Sequence, residues 1–166
     1  MKIAVHWYLA VLAVVLDQIT KYMVLARFGY GERLNVLPGF FDLTLVYNPG
    51  AAFSFLADMG GAQRYLFVVL AFAISIWLVR ESAKGAFGRL GNWAAAMIVG
   101  GAAGNVIDRF VHGKVVDFLL FYWNGWYYPA FNVADSFICA GAVLLVADSL
   151  TQDKNKQKNK QTGANG

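Results

Sequence analysis

The sequence has little charge, one cysteine and two histidines, and each shortage excludes a class of protein. Charged residues make up 14% of its 166 residues, well below the share of about 25% that soluble domains usually carry. A single cysteine, Cys139, cannot form an intramolecular disulfide, so no disulfide framework stabilises this chain. Because His6 and His112 are far apart and have no cysteine cluster beside them, we expect no metal centre, and nothing else in the sequence indicates a cofactor.

Hydrophobic residues are abundant instead. They make up 58% of the chain and give it a mean hydropathy of +0.49, which lies outside the usual range of a soluble domain of this length. Residues 1–150 are therefore predicted to form one integral membrane domain, a membrane all-α bundle that contacts membrane lipids and not nucleic acid. Residues 151–166 are polar and basic and should form a disordered tail.

Four apolar stretches are candidates to cross a bilayer of about 30 Å as helices. They cover approximately residues 6–26, 65–80, 90–108 and 129–150. The third is dominated by Gly and Ala, which suits close helix packing better than exposure to lipid, so we expect it inside the bundle. The first resembles a secretory signal peptide, but it continues into Asp17 and Lys21 without a clear cleavage site, so we expect it to remain as a span.

Lys and Arg residues predict the orientation of these spans. They are concentrated before the first span, between the second and third spans, and in the tail, so those three segments should be cytoplasmic. The link between the first and second spans has no positive excess and should face the other side of the membrane. Both termini should then lie in the cytoplasm.

The predicted outer links have the composition of interfacial structure. Turn signals at Pro38-Gly39 and Asn48-Pro49-Gly50 lie among roughly alternating apolar residues, which favours a small β element over approximately residues 35–57. The aromatic segment 118–131 should lie at the membrane interface, where Trp and Tyr are enriched.

Polar residues of the second half of the chain should meet at one side of the membrane. The third span should run outward and the fourth inward, so the end of one, the start of the other and the link between them share the outer surface. The residues brought together in this way are Asn105, Asp108, Arg109, Asp117, Asn132 and Asp135. The sequence therefore predicts a cluster of carboxylates and amides at shallow depth.

Asp135 is the most informative member of this cluster. It lies within an apolar helix with no Lys or Arg near it in sequence, and a carboxylate in hydrocarbon is costly. If Asp117 lies beside it in a partly dry pocket, the two carboxylates would share a proton. One could then accept a proton from water while the other donates one to a scissile carbonyl, as an aspartic hydrolase requires.

Other interpretations remain open at this level. Asp108 and Arg109 can be a helix cap or an ordinary ion pair, and Asp117 can be an ordinary loop carboxylate. Asp17 and Lys21 are four residues apart and favour a structural pair that ties the first span to the bundle. Two rival functions are a Ser-Lys hydrolase with Lys21 or Lys114 as base and a subunit for proton or ion transport.

Five sequence blocks resemble those of lipoprotein signal peptidase, the bacterial type II signal peptidase. In chain order they are LDQITK (16–21), NPGAAFS (48–54), GNVIDR (104–109), VVDF (115–118) and FNVADS (131–136). The resemblance implies a four-span aspartic endopeptidase of the bacterial inner membrane with an extracytoplasmic β-cradle. It implies cleavage of diacylglyceryl-modified prolipoproteins just before the lipid-modified cysteine, and inhibition by globomycin-type lipopeptides.

The resemblance also implies roles for individual residues. Asp117 and Asp135 match the catalytic pair, and Asp17 and Lys21 match a polar pair of the first span. The positions that match residues lining or supporting the site are Asn48, Gly50, Gly101, Gly104, Asn105, Asp108, Arg109, Asn132 and Ala134.

Overall fold

A computed structural model describes the backbone of residues 4–50 and 62–163 and the side chains as far as residue 152. Its helices are α1 (Trp7–Arg27), α2 (Gln63–Ala83), α3 (Arg89–Val111) and α4 (Val133–Gly163). Its strands are β1 (Arg33–Leu37), β2 (Phe41–Asn48), β3 (Val115–Trp123) and β4 (Trp126–Tyr127). Of the β element expected over residues 35–57, and of the block 48–54, the residues from 51 onward lie outside the described part.

Each of the four helices contains a segment that is long and apolar enough to cross a membrane, and these segments have 21, 21, 23 and 20 residues. The predicted membrane bundle with a small β-sheet is therefore confirmed. In α4 the membrane-length segment is Val133–Gln152, but the helical backbone continues to Gly163. This differs from the disordered tail that we expected; Lys and Gln favour helix, and extending an existing helix avoids the cost of nucleation.

Helix α3 lies at the centre of the bundle, as its composition predicts. It packs against α1, α2 and α4, and its Ala94, Ala95 and Ala96 are fully buried. Small side chains allow neighbouring backbones to approach closely, which is how helices associate where lipid supplies no hydrophobic driving force. Helix α2 packs along α3 and leaves most of its own surface exposed.

The four strands form one antiparallel sheet in the order β1-β2-β3-β4. It lies where α1 and α3 end and where α2 and α4 begin, which we call the sheet end; the opposite end is the tail end. Strands β3 and β4 are joined by Asn124-Gly125, both with positive φ (49° and 81°), as a type I′ hairpin turn requires. The sequence analysis recognised the aromatic character of this segment but not the strand.

A small hydrophobic core attaches the sheet to α1. Val24 of α1 packs with Leu45 of β2 and with Val116 and Phe118 of β3. Burying apolar side chains of this size contributes about 1.5–3 kcal/mol each. Because Asp117 lies between two of these buried residues, the same packing fixes the strand that carries it.

Candidate active site

Asn132 joins the two aspartates that the sequence predicts as a pair. Its Nδ2 donates a hydrogen bond of 2.7 Å to Oδ1 of Asp117, and its backbone N–H donates one of 3.3 Å to Oδ2 of Asp135. Asn132 is fully buried and Asp117 is 2% exposed. The structure therefore brings Asp117 of β3 and Asp135 of α4 together around one buried amide.

The start of α4 determines the position of Asp135. The backbone N–H of Asp135 donates to Oδ1 of Asn132 at 2.9 Å, while the Asp135 carboxylate accepts from the Asn132 backbone. This reciprocal pair is a capping box, which satisfies N–H groups that the first helical turn leaves unpaired. The positive end of the helix dipole also favours a negative charge at this position.

Asp117 is held in surroundings that favour its protonated form. Burial, first, and the nearby charge of Asp135, second, bring the pKa of its carboxyl from 3.8 to about 7. Hydrogen bonds from the side chains of Asn48 and Asn132, and the charge of Lys21, oppose this rise in pKa. A carboxyl group of this kind can exchange a proton near neutral pH.

A buried ionic cluster of α1 and α3 lies next to the pair. Nζ of Lys21 lies 2.8 Å from Oδ2 of Asp17 and 2.8 Å from Oδ2 of Asp108. It also donates to Oδ1 of Asn105 at 3.1 Å, and Nδ2 of Asn105 donates to Oδ1 of Asp135 at 2.7 Å. The expected contact between Asp17 and Lys21 is present, and Asp108 joins it.

The sequence analysis missed four hydrogen bonds of this cluster, which are donated by Gln18 and Val116. Gln18 donates through Nε2 to Asp17, to Asp108 and to the carbonyl of Gly104. Asp108 accepts from the backbone N–H of Val116 at 3.0 Å, next to Asp117 in β3. The only sequence signal for Gln18 was its place in the block LDQITK, beside Asp17.

Two glycines of α3 make room for the site. A β carbon on Gly104 would lie 3.1 Å from Cγ of Asp17 and closer still to Oδ2, and one on Gly101 would meet the carbonyl of Ala134. Ala134 is fully buried, and its N–H donates to Oδ1 of Asp17 at 2.9 Å. Close approach of three helices therefore depends on small residues at these positions.

Asn48 and Gly50 reach the site from the end of β2. The side chain of Asn48 hydrogen-bonds Asp117 and accepts from the N–H of Gly50 at 2.9 Å. Gly50 has φ of +99°, a conformation that residues with a β carbon rarely adopt. This turn brings the end of the strand over the aspartates.

Arg109 is the cation that faces the aspartates from α3. It donates through Nη1 to the carbonyl of Asn105 at 3.1 Å, and its Cζ lies 5.1 Å from the centre of the Phe67 ring. Its buried Nε has no hydrogen-bond partner among the described residues. Arg109 therefore retains hydrogen-bonding capacity beside the pair.

An apolar groove of about 290 Å³ runs along α3 toward Asn105 and Arg109. Its apolar walls come from α2 and α4, and they include Phe67, Leu70, Ile74 and Ile138. The groove is not enclosed, and its lining residues belong to the membrane-length segments of α2, α3 and α4.

The structure argues against a Ser-Lys hydrolase. Lys21 is bound to two carboxylates, and Nζ of Lys114 lies 3.7 Å from the centre of the Tyr47 ring. The hydroxyl of Ser136 donates to the carbonyl of Asn132 at 3.0 Å.

Among the described residues, no group of three or more His, Cys, Asp or Glu side chains is arranged to hold a metal ion.

Comparisons with known proteins identify clear relatives. The family model of signal peptidase (SPase) II matches residues 9–151. A lipoprotein signal peptidase of Neisseria gonorrhoeae is 63% identical over 153 residues, covering 92% of this chain and 93% of that relative. One of Chromobacterium violaceum is 61% identical over 146 residues, covering 87% and 90%. A solved bacterial membrane enzyme superposes with a TM-score of 0.80 at 33% identity, covering 91% of this chain and 90% of that one.

Proposed function

This chain belongs to the signal peptidase II family, and from that premise we propose that it is an aspartic endopeptidase in which Asp117 and Asp135 are the catalytic residues. It is a multi-pass membrane peptidase that removes signal peptides from lipoproteins. The finer proposal is that it cleaves diacylglyceryl-modified prolipoproteins just before the lipid-modified cysteine. One observation carries the catalytic assignment, namely the buried Asn132 that hydrogen-bonds both aspartates.

The proposed reaction needs one proton shared by the two carboxyl groups. The ionised carboxylate takes a proton from water as the water oxygen attacks the scissile carbonyl carbon, and the protonated carboxyl gives its proton to the carbonyl oxygen. The intermediate then collapses as its C–N bond breaks. The leaving nitrogen receives the first proton, and the second returns from the intermediate to the other carboxylate, so that the starting protonation state is restored.

The open apolar groove between membrane-length helices supports a substrate that stays in the membrane. A signal peptide is an apolar helix and a diacylglyceryl group is an apolar ligand, so both can reach the polar end of the groove without leaving lipid. Arg109 supports the same proposal, because it lines the polar end of the groove, where a guanidinium group suits a substrate carbonyl. Competition by globomycin-type lipopeptides follows from the same groove, and it is measured as a rise in KM at unchanged kcat.

The decisive experiment replaces each aspartate by its isosteric amide. Asp117→Asn and Asp135→Asn should each lower the turnover of a diacylglyceryl-modified precursor by about a thousand-fold or more. The double variant should lose little more than either single variant, because residues that act as a unit are not additive.

Asp148→Asn is the matched control for these variants. Asp148 is also a buried acid of α4, 6% exposed, but it lies at the tail end. Its variant should keep turnover within about three-fold per folded molecule. A folded Asp117→Asn or Asp135→Asn enzyme with near wild-type turnover would remove the aspartic mechanism.

We also propose that the chain lies in the bacterial inner membrane with both termini cytoplasmic and the site near the outer leaflet. The distribution of Lys and Arg supports this orientation. In a Cys139→Ala background, Asn124→Cys should react with an impermeant thiol reagent outside spheroplasts, and Lys84→Cys should not. If only Lys84→Cys is labelled, the chain has the opposite orientation to the one proposed.

A further inference from the structure

The buried Lys21 uses all of its hydrogen-bonding capacity inside the protein. An ammonium group has three N–H donors and no acceptor. The three donors of Lys21 go to Asp17, Asp108 and Oδ1 of Asn105, at distances of 2.8, 2.8 and 3.1 Å. Lys21 is 2% exposed, so no substrate or solvent contact explains its position.

Lys21 fixes the direction of the Asn105 amide. Because Lys21 can only donate, the atom of Asn105 that faces it must be the amide oxygen. Nδ2 of Asn105 must then face the other way, where it lies 2.7 Å from Oδ1 of Asp135. Asn132 gives the same oxygen a second, weaker donor at 3.2 Å, so the two bonds agree on the orientation.

Both oxygens of Asp135 therefore act as acceptors. Oδ1 accepts from Asn105, Oδ2 accepts from the Asn132 backbone, and the start of α4 adds its dipole. Each oxygen of Asp135 thus faces an N–H donor, and a proton placed on either oxygen would have to share that oxygen with the donor. Asp117 lies on a strand, is nearly fully buried and faces the charge of Asp135, so its surroundings favour the neutral form.

We propose that Lys21 is a positioning residue for the reaction, which acts through Asn105 to keep the negative charge on Asp135 and the shared proton on Asp117. This inference rests on the proposed aspartic mechanism and adds a role for each carboxyl. Asp135 takes the proton from the attacking water, and Asp117 gives its proton to the carbonyl oxygen. Lys21 touches neither substrate nor water in this scheme.

The charged groups around Asp135 come from several elements. Asp17 and Lys21 lie on α1, Asp108 and Arg109 on α3, and Asp117 on β3, while Arg64 of α2 shares a cavity with Arg109. Removing Lys21 alone would leave Asp17 and Asp108 close together and buried, which endangers folding. The test therefore uses Asp17→Asn with Lys21→Met, which leaves the net charge of the cluster unchanged and removes the donor to Asn105.

In the variant Asp17→Asn with Lys21→Met, kcat should be lower by about ten-fold or more, while KM for the diacylglyceryl-modified precursor stays within about two-fold. The acidic limb of its kcat/KM profile, which reports protonation of the base, should move to higher pH by about one unit. Asp17→Asn alone keeps the donor and removes a negative charge, so its acidic limb should move to lower pH. Glu81→Gln with Lys84→Met removes an ion pair at the C-terminal end of α2; it is the matched control and should change neither quantity.

Opposite shifts of the acidic limb support the positioning role, which packing alone does not produce. A folded double variant with a wild-type profile, or with lower kcat and an unmoved limb, overturns the inference. If the double variant does not fold, the Asp17→Asn profile decides, and an unmoved or raised limb overturns the inference. If Asp117→Asn and Asp135→Asn lose activity while Asp17→Asn with Lys21→Met does not, the inference is refuted and the proposed function stands.

Discussion

The two ends of the bundle use buried acids in different ways. At the tail end, Asp148 of α4 accepts from the N–H of Gly88 at 2.9 Å and from Gln152 at 2.6 Å, and so caps the start of α3. At the sheet end, Asp117 is more deeply buried, 2% exposed against 6% for Asp148, and burial with the charge of Asp135 raises its pKa to about 7.

The two carboxylates differ also in the groups that surround them. Asp148 meets the positive end of a helix, and its partners favour its charge. Asp117 meets a second carboxylate, and its amide partners offset burial only in part. Deeper burial and a neighbouring charge therefore act together at the sheet end, whereas the donors around Asp148 outweigh its shallower burial.

The largest difference in turnover between the two ends should come from Gly104→Ala and Gly91→Ala. Both glycines face an acid, because a β carbon at Gly104 would meet Asp17 and one at Gly91 would lie 2.5 Å from Oδ2 of Asp148. We expect Gly104→Ala to lower turnover per folded molecule by more than about ten-fold, since it displaces the cluster beside the catalytic pair. Gly91→Ala should lower the melting temperature but keep turnover within about two-fold. Equal turnover in the two folded variants would contradict the assignment of catalysis to the sheet end alone.

Asp108→Asn should have the next largest effect. The amide oxygen can still accept from Val116, but one of the two charges that balance Lys21 is lost, so we expect partial activity, lower by about three- to ten-fold. Steady-state kinetics beside a melting curve measures this effect. Complete loss of turnover in a folded Asp108→Asn enzyme would give Asp108 a direct role in the chemistry.

The pH dependence of the melting temperature should also distinguish Asp117 from Asp148. The pKa of Asp117 is raised in the folded state from 3.8 to about 7, so the folded state retains a proton that the unfolded state releases between these values. Stability from this group is therefore full below pH 3.8 and falls as pH rises to about 7. We expect the melting temperature in detergent to fall by a few degrees over this range. Asp117→Asn should flatten this slope, and Asp148→Asn should not.

Ser136→Ala should have the smallest effect. The hydroxyl donates to a carbonyl of its own helix turn, and no serine nucleophile is part of the mechanism. Turnover should stay within about two-fold. A loss comparable to that of Asp135→Asn would revive a serine mechanism.

Local patterns predicted the helices and the meeting of the polar residues. Hydropathy and small residues identified four helices with α3 inside, because each signal lies within one segment. Strand β3 was missed because Val115 to Phe118 are all buried, which removes the alternation by which a half-exposed strand is recognised. The fourth helix begins at Val133 and not at Pro129, because Asn132 caps it.

The contacts between distant segments could not be predicted in the same way. Asp108 was considered a partner of its neighbour Arg109, but it binds Lys21, which is far away in sequence and on another helix. That choice depends on how closely α1 and α3 pack, which no single segment encodes. The role of Asn132 as a bridge between two acids depends in the same way on where β3 lies over the start of α4.

The capping box at the start of α4 fixes the spacing between Asn132 and Asp135. One inserted residue between them would rotate the carboxylate by about 100° around the helix axis and shift it by about 1.5 Å. The same insertion would remove the reciprocal bonds that begin the helix. We therefore expect insertions and deletions to be rejected in the three positions after Asn132.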